Sequence, residues 1–170
     1  EEMYISSFEI SGKDIILESS TSSEPESIFT MNDSNLRKVV DVNSFLNTKK
    51  IATTEKISFE SYDGTEIFGL LVKPEDFNPN KKYPLLIRIH GGPVSQYGVR
   101  FNLEWQVFAS NGYVVLAVNP RGSSGRGEEF QKAIFADWGN IDAKDIIAAA
   151  DFISTKPYID PENLGIGGWS

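Results

Sequence analysis

Gly168-Trp169-Ser170 closes an apolar run and supplies the first three positions of Gly-x-Ser-x-Gly. After a strand, that pattern builds a strained turn whose small residues lift a serine hydroxyl above the sheet edge, where it can attack an acyl carbon. Gly165-Ile166-Gly167 also resembles the start of the dinucleotide fingerprint G-x-G-x-x-G. That loop needs a third glycine at position 170, where serine stands, so the nucleotide reading fails. A second cluster, His90-Gly91-Gly92-Pro93, follows the apolar run 84–90. Two glycines at a strand exit allow a tight turn and expose backbone N–H groups, the donors that acyl-transfer sites aim at a developing oxyanion. Taken alone, the same residues also read as a plain turn. A third cluster, Asn119 to Gly127, is glycine-rich but lacks the Gly-Lys-Ser/Thr ending of a phosphate loop. Arg121 within it either anchors a carboxylate or packs as a loop arginine. His90 is the only histidine, so any histidine base within these residues must be His90.

Two textures of sequence must position these residues. Residues 4–11, 14–20, 26–32 and 36–42 are strand-length runs separated by polar turn material, a pattern that predicts an antiparallel meander. Such a meander cannot bury both faces alone and reads as part of something larger, such as one propeller blade. After a polar bridge, 43–55, runs 56–62 and 65–74 flank Asp63-Gly64, a two-residue hairpin signal. Runs 84–90, 113–120 and 163–170 read as buried strands. Between them, 100–112, 128–139 and 142–156 read as helices, the first stopping at Gly112, the last capped by Asp142 with Asp145 in its first turn. Strands apolar throughout, alternating with helices, predict a parallel sheet covered on both faces, with the hairpin adding antiparallel strands at its edge.

Composition narrows the function. A net charge of −8 with scattered basic residues argues against nucleic acid and a membrane-surface patch. The absence of cysteine excludes disulfides and thiolate metal sites. No apolar stretch approaches the roughly 20 residues that span a bilayer. No cofactor or metal is implied, and the sequence reads neither oligomeric state, which leaves a homo-oligomer open, nor compartment.

The order KISFESYDGTEIFGLLVKP, YPLLIRIHGGP, GYVVLAVNPRGSSGRGEEF, DWGNIDAKDI and PYIDPENLGIGGWS resembles the catalytic domain of prolyl oligopeptidase-family serine peptidases, in particular the acylaminoacyl peptidase and bacterial dipeptidyl-peptidase branch. The likeness runs almost continuously from residue 55 to 170; residues 1–50 are similar, more loosely, to the family's last β-propeller blade and the return segment. The resemblance implies an α/β fold, the N-terminal part of an α/β-hydrolase sheet (51–170) preceded by antiparallel strands of a propeller blade (1–50). It implies that Ser170 is the acyl-forming nucleophile and that the loop bearing Gly91 and Gly92 is the oxyanion loop. Gly92 N–H is the favoured donor, paired with the N–H of the residue after the serine. Prolyl oligopeptidase itself has a tyrosine where His90 stands, so that side-chain role does not carry over.

A serine needs a histidine base and an orienting acid, which in α/β-hydrolases follow it in chain order. His90 precedes the oxyanion glycines, where a base would lie on the wrong side, and reads as a structural histidine bonded to nearby backbone. The expectation is therefore a chain cut at its nucleophile, inactive by itself, whose strand 163–169 is an open sheet edge needing the remainder of its own catalytic domain. The function expected is a serine peptidase releasing residues or acyl-amino acids from short peptides. An esterase or lipase of the same fold, and a non-catalytic interaction module, are the alternatives.

Overall fold

The computed structural model describes residues 2–170. Its first sheet contains β1 (Tyr4–Ser11), β2 (Asp14–Ser20), β3 (Ser27–Asn32) and β4 (Asn35–Val40), consecutive and antiparallel throughout. This is the expected meander. Its outer strand leaves Phe8 and Ile10 65% and 70% exposed, so the sheet does not form a closed core of its own.

A single 3-10 turn, Ser44–Thr48, leads to the second sheet. It comprises β5 (Thr53–Glu60), β6 (Glu66–Lys73), β7 (Tyr83–Ile89), β8 (Val114–Asn119) and β9 (Ile159–Gly168), in the order β5-β6-β8-β7-β9. β5, β6 and β8 pair antiparallel, whereas β8, β7 and β9 run parallel. Parallel neighbours need crossovers. α1 (Leu103–Ser110) links β7 to β8, while α2 (Glu128–Lys132) and α3 (Ile141–Ser154) link β8 to β9.

The two-residue period of a strand explains why β8 is apolar at each of its first five positions, Val114 to Val118. Val114, Leu116 and Val118 pack in the cluster containing Ile146, Ala149 and Ile153 of α3. Val115 and Ala117 pack on the other face with Trp105 and Ala109 of α1. These five side chains are fully buried; a Val or Leu so placed is worth about 1.5–3 kcal/mol relative to exposure. α1 begins where the Asn102 side chain accepts the Trp105 N–H at 3.1 Å, an N-cap bond.

Four local expectations are corrected. The β5–β6 connection spans Ser61–Thr65, longer than two residues, since Glu60 pairs with Glu66. Within it the Gly64 N–H donates to the Ser61 carbonyl at 3.0 Å and the Ser61 N–H to the Thr65 carbonyl at 2.8 Å, so the turn is tight but one residue longer at its base, and the Asp63 carboxylate accepts from Arg121 and the Thr65 N–H. The helix expected over 128–139 stops at Lys132; Ala136 at φ 58° and Gly139 at φ 89° break it, and Phe135 and Trp138 stay exposed without a core to hold a longer helix. Asn140, not Asp142, occupies the N-cap of α3; Asp142 lies in its first turn and accepts the Gly139 N–H at 2.7 Å. Asp145 lies beyond the first turn of α3, whose acidic residue is Asp142, and is fully buried.

Candidate active site

Ser170 and the glycine loop meet because β7 and β9 are parallel neighbours. Ile89 pairs with Gly168, so the chain leaves both strands at the same height, at their carboxyl ends. β8 also runs parallel to β7, with Ile89 opposite Val118, so its exit loop opens on the same rim. Functional groups in open α/β sheets collect at this edge. Here a cleft of about 370 Å³ is lined by His90, Gly91, Gly92, Ser123, Trp138 and Ser170 among others.

Gly91 is glycine because Ser170 leaves no room for a side chain. A Cβ there would lie 2.7 Å from Ser170 Cα, 2.8 Å from the Trp169 carbonyl oxygen and 3.1 Å from Ser170 Oγ. Gly92 has φ +134°, in the region that favours glycine, and a Cβ would meet the Val94 nitrogen at 2.7 Å. Among the described residues no acceptor takes the Gly92 N–H. An unpaired backbone donor and a serine hydroxyl thus share one cleft, the combination needed to attack an acyl carbon and hold the charge that develops. Gly91→Ala must displace backbone at Ser170. A misplacement of about 1 Å at the reacting atom costs about 10²-fold in rate, so steady-state kinetics of the variant in the complete polypeptide should show kcat lower by about that factor, together with a lowered melting temperature, since the atoms that must give way are backbone.

His90 does not present a free nitrogen to the serine. Its Nδ1 lies 2.9 Å from the Gly91 carbonyl oxygen and its Nε2 2.9 Å from Ser123 Oγ. The expectation of a histidine bonded to nearby backbone holds, with a side-chain partner added. Ser123, 1% exposed, also donates to the Pro120 carbonyl at 2.6 Å. Sequence reasoning missed Ser123 and Trp138. Each reaches the cleft only through the crossover of β8, and the only hint was membership in segments without a structural role of their own.

Arg121 anchors carboxylates, but the protein's own. Its Nη2 and Nε donate to the two oxygens of Asp145 at 2.7 and 3.1 Å, its backbone N–H adds a 2.8 Å bond, and Nη1 reaches Asp63 at 2.6 Å. Ser61 Oγ donates to Asp145 at 2.6 Å. This network ties the rim loop to α3 and to the β5–β6 connection. The hydrogen bond from Arg121, then that from Thr65, holds the Asp63 carboxyl at about 2, and the two carboxylates push the Arg121 guanidinium above its ordinary value. A carboxyl depressed in the folded state stabilises it above the unfolded value of about 3.9, and that contribution is lost as pH falls through the folded value. Chemical unfolding of wild type and Asp63→Asn should therefore differ most above about pH 4 and converge toward pH 2; a difference independent of pH would contradict the pairing.

Residues 99–170 match the prolyl oligopeptidase family. The chain is 40% identical over 127 residues to the uncharacterized peptidase YuxL of Bacillus subtilis, covering 74% of this chain and 19% of that protein. It is 43% identical over 114 residues to a probable dipeptidyl-peptidase 5 of Aspergillus terreus, covering 64% of this chain and 16% of that one. Among solved structures, the acylaminoacyl peptidase of Pyrococcus horikoshii superposes with a TM-score of 0.88 at 30% identity, over 99% of this chain and 27% of that chain. The chain thus spans less than a fifth of the length of these curated relatives. The meander followed by a mixed α/β sheet matches the propeller and α/β-hydrolase architecture of the acylaminoacyl peptidase.

Proposed function

We propose that this chain, whose residues 99–170 belong to the prolyl oligopeptidase family, is the nucleophile-bearing part of a serine peptidase that releases residues or acyl-amino acids from short peptides. Ser170 Oγ attacks the scissile carbonyl and loses its proton to a base. The Gly92 N–H, with the N–H of the residue following Ser170, stabilises the oxyanion of the tetrahedral intermediate. Collapse expels the amine, which takes the proton, and leaves an acyl-enzyme that water hydrolyses by the same steps in reverse order of roles. The observation that carries this reading is the packing of the Gly91 backbone against Ser170 beside an unpaired Gly92 N–H.

The base is not His90, whose two nitrogens face Gly91 and Ser123. The histidine and its acid belong to sequence outside these 170 residues, as the Ser, acid, His order of α/β-hydrolases requires. The 170 residues alone are therefore inactive. Residues 1–50 are the last propeller blade and return segment, residues 51–170 the start of the hydrolase domain, and the propeller restricts entry to short peptides. The names of the relatives, dipeptidyl and acylaminoacyl peptidases, support an exopeptidase.

The test is hydrolysis by the complete polypeptide carrying this sequence. Dipeptidyl and acyl-aminoacyl p-nitroanilides should be cleaved, along with short p-nitrophenyl esters. Cleavage of esters with amides left intact would mean an esterase, and no turnover of either would mean a non-catalytic module.

A further inference from the structure

A cavity of about 770 Å³ opens on the same rim as the serine cleft and is charged against the rest of the chain. The chain carries a net charge of −8, yet the charged residues lining this cavity are Lys56, Arg100 and Arg126 against a single carboxylate, Glu2. Glu2 is taken by Lys56. Arg88 and Arg121 hold Glu104 and Asp63, but among the described residues neither Arg100 nor Arg126 has a carboxylate or any other side-chain acceptor. Each lies over an aromatic ring instead, Arg126 3.2 Å from the Phe68 centroid and Arg100 5.5 Å from that of Tyr4. A ring face steadies a guanidinium and takes none of its five N–H donors.

The loops that carry these arginines are fixed to each other and to the sheet. The Ser124 N–H donates to the Ser95 carbonyl at 2.9 Å. Asn119, the last residue of β8, binds Tyr97 twice, accepting its N–H at 2.7 Å and donating to its carbonyl at 2.9 Å. Gln96 packs so closely on Gly125 that a Cβ there would meet its Oε1 at 2.4 Å. The cavity walls are thus set before any ligand arrives. Its distance from the serine follows from the strand order β9-β7-β8-β6, in which Phe68 pairs with Asn119 and Ile89 with both Val118 and Gly168. Three strand spacings separate Phe68 from the strand that ends beside Ser170, about 14 Å. Three residues of extended peptide span about 10 Å, and a charge-assisted hydrogen bond adds about 3 Å.

We infer that this cavity binds a carboxylate on the leaving part of the peptide, about three residues beyond the bond that Ser170 cleaves, with Arg126 and Arg100 as the donors. The inference deepens the serine-peptidase reading and rests on it. Charge decides which end of the substrate enters. A free amino end is a cation, which two guanidiniums repel, and an acylated one is neutral and gains nothing from them. The carboxylates of a peptide are its C-terminal group and its Asp and Glu side chains, and both are anions that an arginine fork receives. A C-terminal carboxylate captured at this reach also favours short substrates by charge.

The test uses the complete polypeptide. The acyl part of whichever p-nitroanilide it cleaves is joined to Ala-Ala-Ala as the free acid, to Ala-Ala-Ala amide and to Ala-Ala-Glu amide, and kcat and KM are read for each. A hydrogen bond to a charged group contributes roughly 10–100-fold in affinity, and the exposure of both arginines places the effect at the lower end. Wild type should therefore favour the free acid over its amide about tenfold in kcat/KM, mostly through KM, and the advantage should shrink as salt is added. Arg126→Gln and Arg100→Gln should each reduce it, the double variant should abolish it, and Arg126→Lys should keep part of it. Ala-Ala-Glu amide cleaved as well as the free acid would identify an acidic side chain as an equal occupant; cleaved as poorly as Ala-Ala-Ala amide, it would assign the cavity to the α-carboxylate. Either result supports the inference. Equal cleavage of acid and amides by wild type would overturn it, as would a preference that survives in the double variant. A wild type that cleaves no p-nitroanilide would instead bring down the peptidase reading, and the carboxylate site with it.

Discussion

Replacing Asp145 by alanine should destabilise the hydrolase-type sheet by about 3–5 kcal/mol, the cost of removing one member of a buried ion pair. Asp145 is fully buried on α3 and accepts from Arg121 Nη2, Nε and N–H and from Ser61 Oγ. Arg121 is itself only 8% exposed, so the alanine variant strands a guanidinium that cannot reach solvent in place. Its remaining carboxylate, Asp63, lies at the surface and binds a single nitrogen. The midpoint of urea unfolding should fall accordingly with an unchanged slope. Combining Asp145→Leu with Arg121→Met should recover much of the loss, because apolar replacement of a whole buried pair is often neutral or better. A single variant within about 1 kcal/mol of wild type would mean that Arg121 swings into water.

Ser170→Ala should have the largest effect on activity. Removing the nucleophile of a comparable site costs about 10⁶-fold in kcat and leaves only what binding and the oxyanion donors supply. The alanine retains the backbone contact with Gly91, so stability and substrate affinity should hardly change. Activity remaining within about tenfold of wild type would remove Ser170 from the chemistry.

The legible parts of the sequence were those whose determinants are local and repeated. The run 113–118, apolar at successive positions, short and rich in valine, reads as a strand buried on both faces, and β8 is one. The meander followed from polar turns at regular spacing. Asp63-Gly64 marks the turn but not its length: the Gly64 N–H bonds back to Ser61, and the Asp63 carboxylate is taken by Arg121, 58 residues away. The stretch 128–139 has residues that suit a helix, but nothing in them says what would cover its apolar side chains; Phe135 and Trp138 face solvent, and the helix ends at Lys132. Asp145 looked like a first-turn charge, since one sequence position looks the same whether an arginine of the rim loop reaches it or not. At the candidate site, the glycines and the serine were visible as a pattern, and the adjacency of β7 and β9 juxtaposes them. The bond between His90 and Ser123, 33 residues apart, had no sequence signature at all.

The most direct measurement is labelling of the complete polypeptide with a fluorophosphonate, followed by digestion and mass spectrometry of the modified peptide. The reagent forms a stable adduct only with a serine activated by a base and held beside an oxyanion hole. The expected result is stoichiometric modification on Ser170, abolished in Ser170→Ala. Absence of any adduct, or an adduct on another serine that persists in Ser170→Ala, would contradict the assignment of Ser170 as the nucleophile.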